Sequence, residues 1–553
     1  MSTIAMMSRS RAMPRKLLSA ALWVLLVAPS SLSAPTGRVP LFENLGTLHH
    51  PITTTSPVAQ QYFDQGLRLV YGFNFEEAIN SFEEASRQDP DAAMPYWGVA
   101  LALGPNINAP MPASQERRAY EAVQKAKARA SKATVAERGY IDALAKRYTS
   151  GGKAKREALD QAYAAAMQEV AKQFPDDPDA LTLAADALMN VQPWDYWQQD
   201  GRPKGAADRI VALLEQALAK TPDHPGACHF YIHAVEASRQ PQRAVPCAER
   251  LPGLMPGAGH LVHMPAHIFM RVGRYHEAAE QNEQAASVDH AYLEHRQLAG
   301  SYAIDYYAHN LHFLWAALLM EGRGAEARKT AQELAAKVSK ADVKKSPPLE
   351  AYVPTPYLTL ARFGQWSDVL SELPPPRELR YALGMWHYAR GLAMAATGRL
   401  GSAQAEQLAL EEMVKGLRRA KSSELKIVRT QLEIAARVIG GELASKREKY
   451  DEAIRLTQEA VRLEDSLPYQ EPPLWHHPVR QVLGALLLTA KRASEAEAVY
   501  REDLARHPDN GWSLFGLAQS LRAQGKEVEA RPIEERFSTA WYAADVTLNS
   551  SRF

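Results

Sequence analysis

The stretch from Ala59 to Pro90, AQQYFDQGLRLVYGFNFEEAINSFEEASRQDP, is two helices long and recurs in outline down most of the 553-residue chain. No other feature limits the fold as strongly, because a recurring helix pair can bury its apolar stripe only against its own neighbours. Gly66, Ala78 and Ala85 are small enough to let the two helices approach closely. Phe82 fills the gap between them, and Asp89-Pro90 stops the second helix.

This pattern resembles the tetratricopeptide repeat, which carries small residues at its eighth, twentieth and twenty-seventh positions, an aromatic residue at the twenty-fourth and a closing proline. All five match here. Weaker copies end at Ala278 with Ala285, at Ala327, at Ala403, at Ala453 with Ala460, at Ala496 with Tyr500 and Pro508, and at Ala530. The resemblance implies an all-α helix-pair solenoid with a concave inner wall, the usual site of function. We expect repeats over 58–204, 205–345 and 346–553 after a leader at 35–57. Irregular stretches fall near 104–117, 193–205 and 290–308. Pro347-Pro348, Pro374 to Pro376 and Pro472-Pro473 lie between helices and read as loops.

Ahead of the leader, Arg9, Arg11, Arg15 and Lys16 precede an apolar run from Leu17 to Ala28 and a small-residue exit at Ala34. These are the three parts of a secretory signal, so residues 1–34 are expected to be removed on export to a periplasmic or extracellular space. The run is shorter than the roughly 20 apolar residues a spanning helix needs, so no transmembrane segment is expected in the mature chain. Lysine plus arginine (64) nearly cancel aspartate plus glutamate (63), which leaves no basic surplus for nucleic acid. The two cysteines, Cys228 and Cys247, form a pair that an oxidising compartment can close.

Eleven of the 17 histidines lie between His224 and His312. In the repeat family the first helix lines the groove with its second, fifth, ninth, twelfth and thirteenth residues. Counting from Ala278 as the twentieth residue puts His260, His263 and His267 at groove positions. Counting from Ala244 does the same for His229, His233 and Glu236, and counting from Ala327 for His309 and His312. Fifteen groove slots in three successive repeats thus hold seven histidines, where composition alone predicts about half of one. The first unit, with Gln60, Phe63, Leu67 and Val70 on its wall, holds none.

His229, His233 and Glu236 stand at i, i+4 and i+7, on one helical face. Neutral imidazole suits zinc, copper and non-haem iron, and a nearby carboxylate tunes charge and geometry. A transition metal, copper, iron or zinc, is therefore the expected cofactor, held among His229, His233, Glu236, His260, His263, His267, His309 and His312. One ion cannot reach all eight, since His260 and His267 are about 10 Å apart in rise. Helices standing in register would place His229, His263 and His312 in one layer and His233, His267 and Glu236 in the next. Pro265 strains that register, because proline disfavours a continuous helix and pushes Met264 away from helical geometry.

Aromatic residues gather nearby: Trp194, Tyr196, Trp197, Tyr231, Tyr306 and Tyr307. They suit core packing or a pocket for a small ligand. His49 and His50 read as loop residues, His276 as surface, and His387, His476, His477 and His507 as structural. No phosphate-binding glycine loop, His-Glu-x-x-His helix or Gly-x-Ser-x-Gly elbow is present. The blocks HxxxHxxE and GHxxHMPxHI resemble those of a group of secreted bacterial repeat proteins, a resemblance that implies export and adds no mechanism. Three readings stay open: a metal-dependent enzyme, oxidative in preference to hydrolytic; a metal-binding or metal-delivery protein; and an interaction scaffold taking a small molecule or peptide in its groove.

Overall fold

Ser56 and Asn74 begin the first helix pair: each side-chain oxygen accepts a backbone N–H three residues on, so Pro57–Tyr71 and Phe75–Gln88 start where free donors would otherwise be left. The Phe82 ring fills the space between these helices and the next one, Met94–Ala102. A Cβ on Gly66 would come within 2.6 Å of that ring and one on Gly98 within 2.5 Å, so both positions require glycine. In this computed structural model, which describes residues 39–151, 155–296 and 306–553, the same device continues to the C-terminus: helix follows helix, and each packs chiefly on its sequence neighbours. Among the described residues there is no strand. The fold is an all-α helix-pair solenoid of tetratricopeptide type. The proposed secretory signal at 1–34 lies outside the described residues. Among those described, no helix is long and apolar enough to cross a membrane.

Three features tie distant parts of the chain to the repeats. The leader is tied down rather than loose: His50 Nδ1 meets Asp179 Oδ2 at 2.7 Å, Thr53 Oγ1 donates to Glu137 at 2.6 Å and Thr54 Oγ1 to Asp89 at 2.6 Å. His50 lies in a loop, as expected, and clamps that loop to the repeats; the buried Asp179 carboxylate beside it overcomes desolvation and raises its pKa to about 9. The last helices fold back on the central ones, with Trp512 Nε1 donating to the Leu319 carbonyl at 2.9 Å and Asp545 accepting from Gly324 N at 2.6 Å. Thirdly, Cys228 and Cys247 stand at disulfide distance, their Cα atoms 5.0 Å apart, and join Pro225–Val235 to Val245–Leu254. Replacing both cysteines with serine is expected to lower stability by about 3 kcal/mol, the loop-closure cost for a bridge of this span, read as a shift of the urea midpoint. Labelling of the denatured, unreduced exported protein should find no free thiol.

Candidate metal centre

The block GHLVHMPAHIFMRV forms two short helices, Gly259–His263 and Pro265–Val272. Met264 between them keeps right-handed helical angles, φ −52° and ψ −34°, contrary to the expectation that Pro265 would expel it. Pro265 serves as the first residue of the second segment, where its missing N–H costs little. The wall therefore bends without breaking, and His263 and His267 stay one turn apart on one face. A Cβ on Gly259 would collide with the Asp289 carboxylate, so glycine alone lets His260 enter beside it.

From the neighbouring helix, Pro225–Val235, His229 and His233 project toward the same space, and Glu236 caps the helix end. His309 arrives from Ala308–Glu321. The potential ligand atoms of His229, His233 and His260 lie within 4.8 Å of one another, as do those of His263, His267 and His309, and those of His233, Glu236 and His267. The last of these is the second layer expected from register, His233, His267 and Glu236, whereas the expected layer of His229, His263 and His312 does not form. His229 meets His260, not His263. His312 belongs to none of these sets: its ring stacks on Trp315 at 5.5 Å and meets Tyr352 edge-on at 5.0 Å. Of the two groove positions of that repeat, only the second, His309, joins a ligand group.

Hydrogen bonds on the outer ring nitrogens set the tautomers. The Tyr71 carbonyl oxygen, which can only accept, lies 2.7 Å from His229 Nδ1. Asn282 Nδ2 donates to the Ala278 carbonyl, which turns its Oδ1 toward His263 Nδ1 at 2.6 Å. The two oxygens of Glu236 take His233 Nδ1 at 3.0 Å and His267 Nδ1 at 2.6 Å. In all four rings Nδ1 carries the proton, and Nε2 is left as a bare lone pair aimed inward. His263 Nε2 and His267 Nε2 face each other at 3.0 Å, His260 Nε2 lies 3.1 Å from His229 Nε2, and the buried His233 Nε2 has no hydrogen-bond partner.

The two lone pairs of His263 and His267 at that distance repel unless a cation lies between them, whereas His260, whose Nδ1 has no partner, can donate from Nε2 to His229. A shared proton does not serve. Burial disfavours the imidazolium form, pushing His229, His233, His267 and His309 down to about 3 and His260 and His263 well below their usual value. Both Nε2 pairs fit inside the about 4 Å that two nitrogens on one metal ion can span. The donor chemistry thus fits a transition ion, with Glu236, Asn282 and the Tyr71 carbonyl as the groups that orient the rings. Glu236 lies in the cluster, as expected, but both of its oxygens are engaged in orienting imidazoles.

The surroundings are apolar and tight. Phe73 packs on His229 and His260, with ring centres 4.5 and 5.3 Å away, and Phe313 packs on His263 and His267 at 4.6 and 4.4 Å. Trp194 meets His233 edge-on at 5.0 Å. Phe73 and Trp194 both hold left-handed backbone angles, φ 56° and 64°, which cost a non-glycine residue about 1–2 kcal/mol each. The fold accepts this strain at two rings that touch the cluster. Of the other aromatic residues, Tyr306 packs on His260 at 4.9 Å, whereas Trp197 donates to the Ala234 carbonyl and Tyr231 to Glu215, both turned away from the imidazoles. The sequence reading missed Asn282, Phe73 and the Tyr71 carbonyl; no motif marks them, and a backbone carbonyl leaves no trace in composition.

No protein-family model matches the chain, and no curated protein matches it. Solved structures similar to it include a human IFIT1 dimer with m7Gppp-AAAA (14% identity, 88% of this chain and 91% of that one, TM-score 0.33). A Cut9–Hcn1 hetero-tetramer of the APC/C (13%, 88% and 78%, TM-score 0.31) and yeast Tom70 (12%, 87% and 92%, TM-score 0.29) are also similar. At these TM-scores the likeness carries no argument, and the fold assignment rests on the helix pairing described above.

Proposed function

We propose that the chain is an exported transition-metal protein whose centre is held by two adjoining three-histidine sets, His229, His233 and His260 and His263, His267 and His309. The observation that carries this reading is the approach of His263 Nε2 to His267 Nε2 at 3.0 Å with both Nδ1 atoms already donated, to Asn282 and Glu236. The sets adjoin: the His233 and His267 rings are 5.2 Å apart and the His260 and His263 rings 5.9 Å, which suits a pair of ions rather than one. All-imidazole donors favour copper, zinc or iron. Copper or iron bound there would supply redox chemistry, which makes an oxidative reaction on a small molecule the favoured activity over hydrolysis.

A second reading, metal storage or delivery without turnover, is favoured by the enclosure of the cluster: His229 and His263 are wholly buried and His233, His260 and His267 are 2% exposed. The same burial leaves these imidazoles no surface to offer a bound peptide, which argues against a scaffold acting through them. Export is supported by the paired cysteines and by the signal-like start of the chain.

Metal analysis of the mature protein, purified without a histidine tag and reconstituted in turn with copper, iron and zinc, tests the reading. About two ions per chain are expected, and absence of stoichiometric metal under all three conditions overturns it. Titration of the loaded protein with azide or cyanide then separates the two activities, since a saturated coordination sphere that takes neither ligand belongs to a store and not an enzyme.

A further inference from the structure

Away from the histidine cluster, the inner wall of the C-terminal repeats forms a partly open cavity of about 90 Å³. Arg362 comes to it from Thr355–Arg362, Tyr388 from Arg380–Ala396, Glu442 and Lys446 from Ser423–Lys446, and His476, His477 and Arg552 from the segments beyond.

The polar atoms around it are unusually poor in partners. Arg362 is 5% exposed, yet among the described residues it forms no ion pair. One Nη donates to Gln481 Oε1 at 2.6 Å, the guanidinium lies 3.5 Å from the Trp512 ring centre, and Nε has no hydrogen-bond partner. The Tyr388 hydroxyl, wholly buried, has none either, nor do His476 Nδ1, His477 Nδ1 and Arg552 Nε. The one acidic side chain in the wall, Glu442, is taken by Arg552 at 2.8 Å. The cavity is thus lined by three cations against one anion, and its most deeply buried cation has no direct ion pair, the buried Asp503 carboxylate reaching it only through Gln481. A buried guanidinium with no directly paired carboxylate is costly, and an arriving anion would offset that cost. The rest of the wall, including Leu392, Val438 and Val482, is apolar.

We propose that this cavity binds a small carboxylate with an apolar body, its carboxylate held by Arg362 and the Tyr388 hydroxyl and its apolar part against Leu392, Val438 and Val482. A carboxylate offers Arg362 a planar acceptor and takes the O–H of Tyr388, and a ligand with no apolar body would leave half the wall unfilled.

Isothermal titration of the full chain with benzoate and with hexanoate tests this, with benzyl alcohol and inorganic phosphate as comparisons. One carboxylate per chain is expected to bind at least about tenfold more tightly than the alcohol. Arg362→Met should abolish binding. Tyr388→Phe should weaken it about tenfold while leaving the melting temperature unchanged or raised, because the substitution removes a buried hydroxyl that the unliganded protein leaves unsatisfied. A purely structural tyrosine would show the opposite pattern, and if Arg362→Met fails to fold, Tyr388→Phe decides alone. The proposal is overturned if neither carboxylate binds at about 10 mM, if phosphate binds and they do not, or if Tyr388→Phe binds them as wild type does.

Discussion

Substituting His267 by alanine is expected to remove metal from the centre, with a larger loss of affinity than the about 10–100-fold that outer groups carry. His267 has no redundancy: its Nε2 faces that of His263 at 3.0 Å, and its Nδ1 shares Glu236 with His233. The outer-group series gives the sharper test. Asn282→Leu leaves every imidazole in place but withdraws the acceptor from His263 Nδ1, and should cost about 10–100-fold. Glu236→Gln should cost as much for a different reason. An amide accepts from one of the two Nδ1 atoms and donates to the other, which forces that ring into the tautomer whose Nε2 carries the proton. Competition with a chelator of known affinity measures all three. Stoichiometric metal that survives both His233→Ala and His267→Ala would sink the proposed centre.

The second large effect is on the metal-free protein in acid. Four histidines, His229, His233, His267 and His309, are held near 3 by burial, against an ordinary value of 6.5. Between those two values the unfolded chain binds protons that the folded chain refuses, so stability is lost as pH falls from 6.5 toward 3. At pH 5 the loss is about 2 kcal/mol for each histidine, and four of them together consume most of the about 5–15 kcal/mol that holds a domain folded. We expect the metal-free protein to unfold cooperatively near pH 5, with the midpoint moving lower when metal is bound, because metal competes with protons for the same nitrogens. Helical circular dichroism across a pH series, with and without zinc, reads this out. A metal-free midpoint below about pH 4 would show that the wall is open to water. His50, with its pKa raised to about 9, works in the other direction: its contribution is complete below 6.5 and disappears as pH rises through 9.

The helix pairs and the choice of wall were legible because a repeat states its own geometry. Once Ala278 and Ala78 are seen as equivalent positions, the azimuth of every residue around its helix follows, and His229, His233, His260, His263, His267 and His309, which that count puts on one wall, fall into two clusters. The same count misplaced His312, whose ring turns to Trp315 and Tyr352, since rotation of a whole helix about its axis is decided by packing on its neighbours. His476 and His477, read as structural, border a separate cavity together with Arg362, more than a hundred residues away in the chain.

The sequence by itself determined an all-helical repeat fold and a histidine-lined stretch of its inner wall, because periodicity is a local property that each helix carries alone. Only the tertiary structure decided which imidazole meets which. Packing of Pro225–Val235 against the two segments around Pro265 brings His229 to His260 and lets Glu236 orient His233 and His267, while His263 meets His267 across Pro265. Those contacts are set by long-range packing, which spacing along the chain does not encode.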